Sequence, residues 1–309
     1  MTSTPIQLEV GEEHDGERCD RFLAVSKVAS RSEAQRWILD GRVTRGGKAL
    51  IAKTKVRAGD KLDVIPAPPP TTAALPENLP IDICYEDEHL LIVNKAAGMV
   101  VHPAAGHSSG TLVNALLHHT EFRDESANPL RPGIVHRLDK DTSGVMVVAK
   151  SRVAREGLVK LFAAHDIQRR YDAIVVGRLR SKTFDTFHGR HPKHRKRFSS
   201  KVSDGKRAIT HVKSVELMAL ATRIECRLET GRTHQIRVHL ADDNTPILAD
   251  ATYGRRRAKG PLAEAANVLG RQALHAALLG FVHPVSGEEL SVEAPAPPCF
   301  TAALDILRR

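Results

Sequence analysis

Cysteine is scarce in this chain and long apolar runs are missing, and each absence narrows what the protein can be. The four cysteines, Cys19, Cys84, Cys226 and Cys299, lie far apart, with no C-x-x-C pair and no Cys/His cluster at zinc spacing. Neither a disulfide framework nor a zinc module is therefore expected, and a reducing cytoplasm fits. No stretch is apolar for long enough to span a bilayer, and Met1-Thr2-Ser3-Thr4-Pro5 carries no basic-then-apolar signal pattern. Both point to a cytoplasmic protein with no membrane partner. There is no glycine-rich dinucleotide fingerprint, no phosphate loop and no internal repeat. Positive charge is in excess: 46 Lys and Arg against 36 Asp and Glu give a formal charge of +10 over 309 residues. That length accommodates a large domain beside a small one, and the charge favours a polyanionic partner, nucleic acid before membrane.

A run of prolines, Pro66-Ala67-Pro68-Pro69-Pro70, followed by Pro76, cannot lie in a helix or central strand. It predicts an extended linker over 67–80 between a small domain, 1–66, and a large one, 81–309. In the small domain, Ser30-Arg31-Ser32-Glu33 reads as a capping box, after which Ala34, Trp37 and Ile38 share a helical face and Gly41 suits a left-handed cap. Strand-like pieces at 42–44 and 61–65 follow, with a Gly46-Gly47 turn between them. From Arg18 to Arg57 there are 11 Lys and Arg against 3 Asp and Glu. A positive face around one helix and one hairpin would bring Arg31, Arg36, Arg42 and Lys48 to RNA; an ordinary solvated helix is the plainer alternative. The pattern R-x-D-R-F-L … S-R-S-E-A-Q … G-D-x-L resembles the S4 RNA-binding fold, departing from it at Arg45-Gly46, where that family has a Val/Asn pair before the glycine.

The large domain places strand-like runs at 81–85, 90–94, 145–149, 171–176, 208–215 and 222–228, and helical ones at 111–119, 152–164 and 235–241. Strands that follow one another through short turns predict an α+β fold, with a mixed, mostly antiparallel sheet and helices packed on it.

Between two of those strands lies Gly133-Ile134-Val135-His136-Arg137-Leu138-Asp139-Lys140-Asp141-Thr142-Ser143-Gly144. It sets the acid Asp139 in a tight polar loop with a cation nearby, as a nucleophile or base requires. Asp139 to Gly144 also imitates half of a calcium loop, but its twelfth position is Lys150, where a bidentate Glu is needed. Gly106-His107-Ser108-Ser109-Gly110 satisfies G-x-S-x-G, yet Pro103 interrupts the approach that a nucleophile elbow demands, and a flexible turn reads better. Further along, Gly231-Arg232-Thr233-His234-Gln235-Ile236-Arg237 is a glycine turn before a short helix rich in cations, a generic anion-binding start.

Taken together these segments resemble the RluA-type pseudouridine synthases, and in particular the subgroup that carries an S4 domain and acts on large-subunit ribosomal RNA. The matching motifs are H-R-L-D-x-x-T-S-G at 136–144, N-K-x-x-G-x-x-V-H-P at 94–103, Arg169-Arg170-Tyr171, T-G-R-T-H-Q-I-R-V-H at 230–239, Asp250-Ala251-Thr252-Tyr253-Gly254 and Arg271-Gln272-Ala273-Leu274-His275. Ala249 stands where the family often has glycine. The resemblance implies that Asp139 is the catalytic acid residue, that Tyr171 lies against the target base, and that Arg237 pairs with Asp139. A carboxylate sunk in a base pocket needs such a partner charge. It further implies that Arg137, two residues from Asp139 and so on the same strand face, fills the space a flipped nucleotide leaves. Thr142, Arg232, His234 and Leu274 would join Arg137 in RNA binding and base flipping. A basic insert holding Arg190, Lys193, Arg195, Lys196 and Arg197 would grip RNA, although a solvated loop is its plainer reading.

Isomerising uridine to pseudouridine breaks the bond from ribose to N1, turns the uracil and rejoins it through C5. There is no redox step and no phosphate transfer, so neither cofactor nor metal is implied. Attack by Asp139 on the sugar, attack on the base and removal of a sugar proton all remain open. The expected partner is large-subunit ribosomal RNA, free or in a pre-50S particle, met by a monomer. Two other classes stay in view: a non-catalytic RNA-binding or ribosome-assembly protein, and a serine hydrolase using Ser108.

Overall fold

The computed structural model describes residues 5–66, 73–104, 106–124, 127–194, 197–254 and 259–309. The backbone forms two compact units, Met1–Thr72 and Ala73–Arg309. Of the stretch expected as a linker, 67–72 lies outside the described residues. Residues 73–80 are held to the second unit instead of hanging free: Ala74 N donates to Pro129 O (3.0 Å) and Glu77 N to Asn114 O (2.9 Å). Asn114 Nδ2 also donates to Leu75 O at 2.7 Å.

The first unit contains β1 (Ile6–Glu9), α1 (Cys19–Val25), α2 (Arg31–Leu39), β2 (Val43–Arg45), β3 (Lys48–Ala49) and β4 (Lys61–Val64). Its sheet runs β1-β4-β2-β3, antiparallel throughout. The capping box forms: Ser30 Oγ accepts from Glu33 N (3.3 Å) and Glu33 Oε2 from Ser30 N (2.9 Å), so α2 starts where two of its free amides are satisfied. Ala34, Trp37 and Ile38 turn inward against Phe22, Leu23, Val43 and Val64. Gly46 and Gly47 both adopt positive φ, 56° and 74°, which the tight hairpin from β2 to β3 requires.

The second unit is built on a 10-stranded sheet. In chain order it comprises β5 (Ile83–Glu86), β6 (Leu90–Lys95), α3 (Leu112–His119), β7 (Ser143–Ala149), α4 (Arg152–Ala164), β8 (Gln168–Val176), β9 (Lys182–Arg190), β10 (Phe198–Ser199), β11 (Lys206–Leu217), β12 (Ala221–Leu228), α5 (Gln235–Asp242), α6 (Pro261–Leu269), β13 (Leu274–Val282), β14 (Glu289–Glu293) and α7 (Pro298–Arg308). The spatial order is β10-β9-β11-β12-β8-β13-β7-β6-β5, with β14 on β13. Among these strands β13 and β7 run parallel and the other pairs antiparallel, the mixed sheet that the run of short turns predicted. Strands β9, β10, β13 and β14 and helices α6 and α7 were not expected. In β13 the sequence L-H-A-A-L-L-G-F-V is buried almost throughout, so it lacks the alternation by which a strand is recognised.

The centre of the sheet is covered on both faces. Leu91, Val93, Met146 and Val148 point into one core; Leu90, Ile92, Val145 and Val147 point into the other, with Ala154 and Leu158 of α4. Successive side chains alternate across a strand, so β6 and β7 must be apolar at nearly every position. This fixes the strand end from which the polar loop before β7 emerges. That loop enters β7 through Gly144, whose φ is 118° and where a Cβ would lie 2.1 Å from Ala276 O of β13. Close approach of two parallel strands thus demands glycine at this position. Gly144→Ala combines a disfavoured φ with a backbone clash and should destabilise the second unit by on the order of 3 kcal/mol. Urea unfolding of the full chain measures this, and an unchanged midpoint would show that the junction relaxes.

Candidate active site

The Asp139 loop is held by polar side chains that stand in for backbone partners. Gly133 O still accepts from Ala149 N at 2.9 Å, as in a ladder. At the next step His136 intervenes: its Nε2 accepts the Val147 N–H at 3.1 Å. Nε2 is therefore unprotonated, and burial pushes the imidazole pKa down to about 3. The ring lies on Phe162, centroids 4.6 Å apart. Once a side chain has taken the ladder's N–H, the backbone is released. Residues 137–139 consequently form a loop, and the expectation that Arg137 and Asp139 share a strand face does not hold. Leu138 plugs into the core instead, and both Arg137 and Asp139 still reach the same cavity.

Beyond Asp139 the loop is locked again. Asp139 O accepts from Thr142 N (3.1 Å), and Lys140 O from Gly98 N (2.9 Å). Lys95, at the end of β6 and 1 % exposed, donates to Ala96 O (2.8 Å), Met99 O (2.9 Å) and Lys140 O (3.1 Å). This ammonium ties the 96–99 turn to the Asp139 loop. Burial lowers its pKa to about 8, against the opposing fields of Asp141 and Asp139. Thr142 is buried and its Oγ1 accepts from Gln272 Nε2 at 2.7 Å.

Facing the loop is the first turn of α5. Arg237 Nη1 donates to Asp139 Oδ2 at 2.9 Å, while Nε and Nη2 donate to Asp250 Oδ2 and Oδ1 at 2.7 and 3.0 Å. Burial works against the Arg237 charge, but the paired bonds and field of Asp250, joined by Asp139, outweigh it and raise its pKa above the ordinary value. Asp250 is likewise penalised by burial, and the Arg237 bonds together with the Thr252 and Tyr253 amides hold its carboxyl below the usual range. Ala249 sits at φ 59°, which explains why glycine suits that position in the resembling sequences.

His234 caps α5 in a left-handed conformation. Its Nδ1 lies 2.9 Å from Tyr253 Oη and its Nε2 3.9 Å from Asp139 Oδ1. Burial lowers its pKa despite the nearby carboxylate. Gln235 braces the turn, accepting from Thr230 Oγ1 (2.8 Å) and Arg232 N (2.9 Å) and donating to Ile209 O (2.9 Å). Tyr171 projects from β8, where it pairs in register with Cys226 of β12 and Ala276 of β13. Burial raises its pKa.

Asp139, Tyr171, Arg237, Arg137, Thr142, Arg232, His234 and Leu274 all line one cavity of about 460 Å³. That volume lies in the range of about 300–1,000 Å³ usual for small-ligand sites. The other expected contacts lie elsewhere. Arg31 is engaged with buried Asp20 at 3.2 Å, whereas Arg36 and Lys48 are exposed and Arg42 is half-buried. The described residues of the basic insert lie at the end of β9 and between β9 and β10. There Arg190 lies over the Phe198 ring (4.4 Å) and Arg197 over the Tyr253 ring (5.8 Å), while Lys193 is exposed. Arg195 and Lys196 lie outside the described residues. Ser108 sits in an exposed bend, and among the described residues no strand runs into it. Among the described residues no group of His, Cys, Asp and Glu could hold a metal ion. The loop-locking Lys95, the bridging Asp250 and the brace Gln235 were quoted as parts of motifs but given no role. A lysine closing the apolar strand L-L-I-V-N-K was the clearest available signal.

The RNA pseudouridylate synthase model matches residues 89–242 and the S4 domain model residues 17–62. The ribosomal large subunit pseudouridine synthase D of Xanthomonas campestris pv. campestris is 42% identical, over 100% of this chain and 94% of that one. An RNA pseudouridine synthase of Bacillus subtilis, YlyB, described as uncharacterized, is 41% identical over 98% of each chain. Among solved structures, human RNA pseudouridylate synthase domain containing 1 superposes with a TM-score of 0.57 at 25% identity, covering 74% of this chain and 89% of that one.

The lowered pKa of Lys95 has a calculable consequence. Between pH 8 and the unfolded value of about 10.4 the unfolded chain binds a proton that the folded one releases, so this group adds stability as pH rises. The stability of wild type minus that of Lys95→Met should therefore increase by on the order of 2 kcal/mol from pH 7 to pH 10. Urea titrations at the two values measure it, and a constant difference would mean that Lys95 is protonated throughout.

Proposed function

This chain belongs to the RNA pseudouridylate synthase family and is a pseudouridine synthase; from that premise we propose that it isomerises uridines of large-subunit ribosomal RNA, with Asp139 as the reacting acid. The observation that carries this reading is the Asp139 carboxylate held at 2.9 Å by Arg237 on the wall of a cavity that Tyr171 also lines. The relatives named for the large ribosomal subunit support the substrate.

In this reading Tyr171 packs against the extruded base and Arg137, exposed at the cavity mouth, takes its place in the stack. Thr142, Arg232, His234 and Leu274 shape the pocket around it. Arg237 supplies the partner charge that a carboxylate in a partly buried site requires. Arg31, Arg36, Arg42 and Lys48 of the S4 unit, with Arg190, Lys193, Arg195, Lys196 and Arg197 of the insert, meet phosphates and supply a salt-dependent grip. The enzyme works as a single chain in the cytoplasm, on free RNA or a pre-50S particle. A purely non-catalytic assembly role would leave the Asp139–Arg237 pair without a purpose.

Asparagine has nearly the shape of aspartate and still accepts a hydrogen bond from Arg237, but it is neither nucleophile nor base. Asp139→Asn should fold and bind RNA while pseudouridine formation drops by more than the roughly 10²–10⁴-fold that general-base help alone contributes. Asp141→Asn should be far milder. Pseudouridine mapping on transcribed large-subunit RNA reads both. An active Asp139→Asn enzyme, or an Asp141→Asn enzyme equally inactive, would contradict the assignment.

A further inference from the structure

The cavity contains a second buried cation that the reading above does not use. Arg169 stands two residues before Tyr171 on β8, so both side chains leave the same face of the strand, and both line the cavity. Arg169 is 8 % exposed. Its Nη2 donates to Leu228 O and Glu229 O, at 3.2 and 2.7 Å. Its Nε finds no partner. Among the described residues its Nη1 makes no hydrogen bond and the guanidinium makes no ion pair. The neighbouring carboxylates are already committed: Asp139 and Asp250 both bind Arg237. Phe162 supports the guanidinium from below, 5.5 Å from its ring centre.

The chain also makes room for this group. A Cβ on Gly231 would lie 3.0 Å from Arg169 Nη1, and Gly231 has no left-handed φ to explain its glycine. A side chain at this position would press on the guanidinium, which the glycine leaves in place. A buried cation without a counter-ion is costly, and an enclosed site usually retains one only where negative charge arrives. Burial lowers the Arg169 pKa, with only the Tyr171 hydroxyl's field opposing it.

The reaction brings that negative charge. When the N1–C1′ bond breaks, its electron pair departs with the uracil, whether Asp139 bonds to C1′ or takes the C2′ proton. If Asp139 adds to the base, the ring again carries the pair. C5 then bonds to C1′ as Asp139 leaves the carbon it had bonded or returns the C2′ proton, the C5 proton passes to a base and N1 gains a proton, so the product is an isomer and no outside reagent is consumed. We propose that Arg169 is a catalytic residue of this isomerisation, its free N–H groups holding the negative charge of the uracil ring while that ring is detached from the ribose. This rests on the pseudouridine-forming reading of the cavity.

The test varies the leaving group. RNA carrying 5-fluorouridine at the target position releases a more stable anion, so it depends less on a stabilising cation. Loss of the N1–C1′ linkage is followed under single turnover by nuclease digestion and mass spectrometry. Arg169→Met should slow uridine by about 10²-fold, as removal of one preorganised donor does, and 5-fluorouridine by roughly tenfold or less, with RNA affinity unchanged. Gly231→Ala, which presses on the guanidinium and shifts it slightly while keeping its charge, should show the same leaving-group bias in weaker form and decides the matter if the methionine variant does not fold. Equal losses on the two substrates, or no loss, would overturn the role of Arg169. If wild type forms no rearranged product from uridine RNA, the reading of the cavity fails instead.

Discussion

Arg237 lies between two carboxylates, and the geometry of the pocket follows from that arrangement. A guanidinium in the first turn of α5 meets the positive end of the helix and is nearly excluded from water, so it would be unfavourable alone. Asp250 binds it with two parallel bonds, and two backbone amides in turn bind Asp250. Of the N–H groups that remain, one on Nη1 points at Asp139. The helix, the 250–253 turn and the Asp139 loop come from distant parts of the sequence and converge through this one planar group.

Such a site needs a rigid frame, and the central sheet provides it. Because β6 and β7 bury side chains on both faces, neither strand can shift register without exposing a full apolar row. Polar devices then carry that rigidity outward to the loop. His136 ends the ladder by accepting a backbone N–H, Lys95 gathers three carbonyls under the loop, and Gln235 fastens the opposite wall. Each substitutes a side chain for a backbone partner, which lets irregular chain lie beside a closed sheet without leaving its polar groups unsatisfied.

These devices also mark how far the amino-acid sequence could be read. Asp139 stood out because its neighbours are turn-forming and polar between two apolar runs. The α2 start was visible because capping is local: Ser30 and Glu33 lie three residues apart and meet only each other. The strand assumed under Arg137 was wrong for a reason no local pattern records, since the partner of His136 is the amide of Val147, eleven residues on. The strand β13 was hidden because burial on both faces removes alternation. Asp250 and Arg237 are thirteen residues apart with a helix between, and only the folded chain shows that they share a pair of bonds. Gly144 read only as the end of a polar loop, whereas it yields to the backbone of β13.

The central claim is that a chain of charge from Asp250 through Arg237 sets Asp139 for its work. Asp250 is buried behind the arginine and does not itself line the cavity, so its paired bonds to Arg237 are its most direct route to the chemistry. The most direct measurement is single-turnover pseudouridine formation by Asp250→Asn, taken beside its affinity for RNA. The account predicts a rate at least tenfold lower with affinity unchanged, because the guanidinium loses the partner that orients it. A variant that converts uridine as fast as wild type would contradict it.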